Sequence, residues 1–122
     1  MTPPSPPESL SDAQRRFVPM VAKLIEWVYK QPGMSLTFGE AWRTPEQALW
    51  NQQHGLGIAK SLHCERLAID LNLFIDGEYQ TTGDPYTPLG VFWESIGGVW
   101  GGRFVHPRPD FDHFEIALNG VE

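Results

Sequence analysis

From Leu67 to Ile75 the chain alternates strictly, with Leu67, Ile69, Leu71, Leu73 and Ile75 on one face of an extended segment and Ala68, Asp70 and Asn72 on the other. A period of two is incompatible with a helix, so a half-covered β-strand is the element around which the rest must pack. Asp76-Gly77 after it is a hairpin-type turn. His113 to Leu118 repeats the pattern, with Phe114, Ile116 and Leu118 on one face and His113 and Glu115 on the other. Two strands with apolar backs and polar fronts can pair so that the polar fronts form one surface.

Helical spacing surrounds these strands. Phe17, Met20, Val21, Leu24, Ile25 and Val28 form a stripe behind the possible caps Ser11 and Asp12, and Gln31-Pro32-Gly33 stops that helix. Thr44, Pro45 and Gln47 have the form of a capping box, predicting a second helix from Pro45 to Gln53 closed by His54-Gly55. Ser35 to Trp42 reads as a short strand delivering Arg43 to that helix. A third helix is expected between Tyr86 and Gly98, carrying Leu89, Phe92, Trp93 and Ile96 on one side. A length of 122 residues allows one domain, and helices with a mostly antiparallel sheet make it α+β. Residues 1–9, rich in proline, read as a disordered lead, and 10–122 as the folded domain.

Nine Lys plus Arg against fifteen Asp plus Glu give a formal charge of -6, which argues against nucleic acid and against stable binding to an anionic membrane. The first residues lack the basic and apolar regions of a signal peptide, and no apolar run is long enough to span a bilayer, so synthesis in a cytoplasm is expected. A monomer is expected. With Cys64 the only cysteine, any metal must be held by histidine and carboxylate.

Two clusters offer such ligands. A fully extended path from His63 to Asp70 spans ~23 Å, whereas donors sharing one zinc lie ~3 to 4 Å apart. If both bind one ion, the chain must fold back, and the polar Cys64-Glu65-Arg66 is where it can bend. Taken alone, the pair better suits a surface histidine beside a strand whose acid faces water. Asp110-Phe111-Asp112-His113-Phe114-Glu115 is the second cluster, an imidazole opening a strand with a carboxylate on the approach loop. Taken alone it also suits a solvated acidic turn. One His and one Asp from each half would supply three ligands and a base. Asp112 reads as a loop carboxylate pointing away from Asp110. His54 reads as a helix-end residue and His106 as a loop residue, while Ser61 has no spacing that supports a serine triad and is expected to hydrogen-bond near the His63 loop. Trp93 and Trp100 could stack on a ligand or build core, the commoner use in so small a domain. Glu115 shares the face of His113 and can orient it or compete for a metal.

Together, Ser61-x-His63, six residues, Asp70, then Asp110-x-x-His113-Phe114-Glu115 resemble the peptidase M15 group, the zinc D,D-carboxypeptidase and L-alanyl-D-glutamate endopeptidase superfamily. Arg43-Thr44-x-x-Gln47, Ala68-Ile69-Asp70-Leu71 and Trp100-Gly101-Gly102-Arg103-Phe104 resemble its phage endolysin branch. The resemblance implies a hedgehog/D,D-peptidase-like fold, one zinc ion on His63, Asp70 and His113, Asp110 as catalytic base, and Arg43 near the substrate carbonyl or carboxylate. Ser61, Gln47, Glu115 and Trp100 would support the ligands or the substrate. Arg66 stands where several members have glycine, implying a bend built differently here, and Asp110 stands where some have glutamate.

The function so implied is a zinc peptidase of peptidoglycan stem peptides, cutting at L-Ala-D-Glu as an endolysin made in the host cytoplasm and released to the wall. The alternatives are a D,D-carboxypeptidase that trims terminal D-Ala, and a non-catalytic zinc-stabilised module that binds the cell wall.

Overall fold

The computed structural model describes residues 6–56, 61–105 and 108–121, so His106 lies outside the described residues. Its helices are α1 (Leu10–Tyr29), α2 (Pro45–Gln53) and α3 (Thr87–Ser95), and its strands are β1 (Met34–Phe38), β2 (Ala68–Ile75), β3 (Glu78–Tyr79), β4 (Val99–Trp100) and β5 (His113–Glu115). Short 3-10 turns occupy Leu62–Glu65, Asp84–Tyr86 and Gly101–Arg103. The sheet runs β1-β2-β5-β4 with β3 also on β2, and every pairing is antiparallel. The fold is α+β, as the alternation and the helical stripes predict.

The apolar back of β2 explains the packing. Leu71 and Leu73 are fully buried, and they meet Phe17, Met20, Leu24 and Val28 of α1 and Leu89 and Trp93 of α3 in one core. Burying each such side chain stabilises the fold by roughly 1.5–3 kcal/mol. Trp93 joins the layers, its ring edge-on to both Phe17 at 5.8 Å and Phe114 at 6.1 Å. Its indole N–H donates to the Glu115 carbonyl at 2.9 Å, so the residue fixing the core also fixes β5.

Several boundaries differ from expectation for local reasons. The cap of α1 is Ser9 rather than Ser11 or Asp12: its hydroxyl accepts the Asp12 N–H at 3.1 Å, and the helix starts at Leu10. Thr44 caps α2 as expected, accepting the Gln47 N–H at 3.0 Å, and the helix closes at His54 and a left-handed Gly55. The predicted strand over Ser35 to Trp42 is shorter, Met34–Phe38, because the chain beyond it turns across Asp70. The last strand ends at Glu115 rather than Leu118, which instead bridges Val121 around left-handed Asn119 and Gly120. Asp76 and Gly77 both take positive φ, the conformation of a tight hairpin turn, and lead into β3.

Candidate metal centre

The polar front of the sheet is built by register. Asp70 on β2 lies directly opposite His113 on β5, and Ala68 opposite Glu115. Asp70 is held along its other edge too: its N–H donates to the Glu40 carbonyl and its carbonyl accepts the Gly39 N–H, both at 2.8 Å. Gly39 is required there, since a Cβ would sit 2.9 Å from the Asp70 Cβ.

His63 reaches the same place because the chain folds back after it. Ser61 caps the 3-10 turn Leu62–Glu65, accepting the His63 N–H at 3.2 Å, and Arg66 ends it at φ 58° and ψ 35°. This is the left-handed conformation that glycine adopts freely and other residues adopt at roughly 1–2 kcal/mol. The bend at Arg66 is therefore a left-handed one carried by an arginine. The Arg66 guanidinium stacks over the Trp42 ring at 4.8 Å, an attraction of about 0.5–1 kcal/mol that offsets part of that strain.

Three donor atoms converge. His63 Nε2 lies 3.0 Å from His113 Nδ1 and 3.2 Å from Asp70 Oδ1, and His113 Nδ1 lies 3.3 Å from the same Oδ1. Donors bound tetrahedrally at 2.0–2.2 Å would be about this far apart. Both imidazoles are buried, and Asp70 Oδ1 is shut off from solvent without a hydrogen-bond partner. A buried carboxylate oxygen and two ring nitrogens pointing at one spot, too crowded to satisfy one another, fit a cation with nitrogen and oxygen ligands.

The surrounding groups set the charge. Burial works to raise the Asp70 carboxyl, but the adjoining His113 and His63 rings overcome it and hold the group at about 2. Burial likewise opposes the charged His113 ring, and Asp70 and Glu115 outweigh it, raising the imidazole to about 9. Glu115, itself buried, takes the outer face of that ring, its Oε1 2.7 Å from His113 Nε2. With Nε2–H committed to Glu115, Nδ1 is the nitrogen turned to the cluster.

Asp110 stands at the open side, half-exposed, its Oδ2 3.9 Å from His113 Nδ1. The Trp100-Gly101 segment positions it. The Asp110 N–H donates to the Gly101 carbonyl at 2.9 Å, and the Trp100 indole donates to the Phe111 carbonyl at 2.8 Å. Trp100 is only 4% exposed and packs on Gly90 and Gly102, so it is a core residue anchoring this loop and offers no open face for stacking. Asp112 does not point away from Asp110. Asp70, Asp110 and Asp112 bring carboxylate oxygens within 4.8 Å of one another. Burial first, then the hydrogen bond to Asp110 and the negative charges of Asp70 and Asp110, push Asp112 up to about 7. Beside this acidic turn opens a cleft of about 180 Å³ bordered by Tyr79, Gln80, Tyr86, Asp110 and Phe111.

Arg43 is tied to the His63 turn, donating its backbone N–H to the His63 carbonyl at 3.3 Å and pairing through Nη2 with Glu40 Oε1 at 2.5 Å. Gln47 stays outside the cluster, exposed on α2 with its amide on Asn51 at 2.7 Å. His54 ends α2 as expected, stacked on Trp50. Sequence reasoning missed two neighbours. Glu40 lies 3.8 Å from His63 Nδ1, and the Phe104 ring covers His113 at 5.5 Å. The available signal for Glu40 was an acid three residues before Arg43 in a segment otherwise of small and aromatic residues.

Comparison with known proteins gives two findings. The profile of the peptidase M15 family described as D-alanyl-D-alanine carboxypeptidase matches residues 53–116, which include His63, Asp70, Asp110 and His113. The fold is similar to the crystal structure of the Serratia marcescens L-Ala D-Glu endopeptidase ChiX, with a TM-score of 0.66 at 18% identity over 88% of this chain and 85% of that one. Among curated proteins none matches.

Proposed function

Because this chain belongs to the peptidase M15 family described as D-alanyl-D-alanine carboxypeptidase, we propose that residues 10–122 form a zinc-dependent peptidase that hydrolyses a stem-peptide amide of bacterial peptidoglycan, at the L-Ala-D-Glu bond, as a phage-type endolysin. The observation that carries this reading is the convergence of His63, Asp70 and His113, with one donor atom from each within 4.8 Å of the others. In this reading those residues hold one zinc ion. Zinc so held polarises a carbonyl and lowers the pKa of water towards about 7.

The chain's own residues supply the rest. Asp110, on the open side of the cluster, takes the proton of the attacking water and returns it to the departing amine, a shuttle worth about 10²–10⁴ in rate. Arg43 offers a fixed cation to the substrate carbonyl or carboxylate. Glu115 holds the His113 ring by Nε2, leaving Nδ1 as the ligand atom, and Ser61 holds the turn that carries His63. The family description favours a second reading, release of terminal D-Ala by a D,D-carboxypeptidase.

Action on the wall after release from a host cytoplasm belongs to the same proposal. So does monomeric action, with the stem peptide as partner. Among the described residues no helix is long and apolar enough to cross a membrane. The deciding experiment treats isolated sacculi with purified protein and identifies products by mass spectrometry. New amino termini at D-Glu support the endopeptidase, free D-Ala from a pentapeptide supports the carboxypeptidase, and no product with zinc bound would leave a non-catalytic wall-binding module.

A further inference from the structure

We infer that the cleft between the end of β3 and the Asp110 turn is a substrate subsite for a primary ammonium at the end of an aliphatic chain, the group that the diamino-acid residue of a stem peptide carries. The inference rests on the peptidase reading above and deepens it by naming the part of the substrate that this cleft selects.

The cleft adjoins the metal centre through Asp110, which borders both. Its volume of about 180 Å³ is below the roughly 300–1,000 Å³ of a pocket for a drug-sized ligand, so it suits one side chain rather than a whole peptide. Its walls are fixed by contacts of their own. The Tyr86 hydroxyl accepts the Leu73 N–H at 3.0 Å and donates to the Gln80 carbonyl at 3.2 Å. The Gln80 N–H donates to the Leu73 carbonyl at 2.9 Å, so the Tyr79-Gln80 side is anchored on β2. On the opposite side the Phe111 ring packs on Gly83, where a Cβ would collide with it, and the Trp100 indole donates to the Phe111 carbonyl at 2.8 Å. The Asp112 carbonyl accepts the Leu71 N–H at 2.9 Å, which ties this side to β2 as well.

The lining chooses the ligand. Asp110 and Asp112 border the cleft, and no lysine or arginine is among the described residues that do. An anionic group would meet two acids of its own sign, and a purely apolar one would take water from them without replacing its hydrogen bonds. An ammonium donates to carboxylates in charge-assisted hydrogen bonds. Tyr79 and Phe111 complete the match, since both are exposed and both border the cleft. Their rings offer apolar surface to the methylenes behind an ammonium and attract the cation itself. Acylation of that amine, as in a cross-linked stem, removes its charge and two of its three N–H donors. The cleft therefore favours stems whose diamino acid is free.

The test separates binding from cleavage. The probes are N-acetyl-γ-D-glutamyl-L-lysine and its Nε-acetyl derivative, which contain neither an L-Ala-D-Glu nor a D-Ala-D-Ala bond and differ only at the side-chain amine. Both are titrated into the full chain at pH 8, where the lysine amine keeps its proton, and followed by backbone amide NMR shifts. The free amine is expected to bind about tenfold or more tightly than the acetylated form, with shifts at Tyr79, Gln80 and Phe111. Asp112→Asn should bring that ratio towards one, and Tyr79→Ala should weaken binding of the free amine. Equal affinity of wild type for the two probes, no binding of either, or shifts that avoid the cleft would overturn the inference. So would an unchanged ratio in Asp112→Asn. Amine-selective binding at the cleft by a protein that cuts no sacculi would remove the peptidase reading and leave the subsite. Cleavage of sacculi by a protein without that selectivity would do the reverse.

Discussion

Raising the pH of the metal-free protein should remove a defined part of its folding stability through one side chain, His113. Burial disfavours the charged ring, yet Asp70 and Glu115 hold its pKa at about 9 against 6.5 in an unstructured chain. Below 6.5 both folded and unfolded chains carry the proton, and the contribution is fully present. Between 6.5 and about 9 only the folded protein keeps it, so stability declines by up to about 1.4 kcal/mol per pH unit, and above about 9 the contribution is gone. With the side chain 7% exposed, solvent screens little of this, and the whole span is about 3 kcal/mol. Urea unfolding in chelator from pH 6 to pH 10 measures it. Asp112, held up at about 7, adds a decline of the same sign at lower pH, between 3.8 and about 7. Asp112→Asn removes that limb, and Glu115→Gln should shrink the one that remains. Stability that stays flat from pH 7 to pH 9 in Asp112→Asn would refute the assignment of His113 as a ring charged by its two carboxylates.

His63→Ala and His113→Ala should lose both zinc and turnover, whereas Asp110→Ala should keep zinc by elemental analysis and lose about 10²–10⁴-fold in turnover; equal zinc loss in all three would make Asp110 a ligand. Arg66→Ala keeps the left-handed strain and loses the Trp42 contact, so it should be about 1 kcal/mol less stable than wild type. Arg66→Gly relieves the strain and should stay within about 0.5 kcal/mol of wild type, an order that calorimetry would disprove if alanine proved the more stable. Gly101→Ala puts a Cβ 2.3 Å from the Asp110 carbonyl and 2.8 Å from the His113 Cβ. It should cost about 1–3 kcal/mol and lower turnover by moving the loop, and unchanged values for both would contradict the assigned role of this close approach.

How far the sequence could be read follows from which interactions repeat along the chain. The alternation from Leu67 to Ile75 set strand, face and partner together, because shifting the register by one residue would bury Asp70 and expose Leu71. The Thr44 cap and the α1 stripe were legible for the same reason, each being a contact between residues three or four apart. The cap of α1 was misplaced by two residues because Ser9, Ser11 and Asp12 are all capable caps, and only the geometry at Ser9 chooses among them. Strands β3 and β4 have two residues each, too short for any period to appear.

The metal centre was legible in its ligand candidates and opaque in its surroundings, and the difference is one of reach. His63, Asp70 and His113 stand in local patterns that name them. Glu40 and Asp112 acquire their settings only when separate strands meet. Glu40 faces His63 because Gly39 and Glu40 lie along the backbone of Asp70, a contact that spans thirty positions, from 40 to 70. Asp112 looked like a solvated loop acid by its neighbours, but the turn that the Trp100 indole and the Gly101 carbonyl pin onto β5 brings it to Asp110 and Asp70. Three carboxylates drawn within 4.8 Å of one another repel, and the chain tolerates this because two imidazoles stand beside them and Asp112 can hold a proton up to about 7. A cation in the cluster would reduce the same repulsion, a setting that no local pattern could announce.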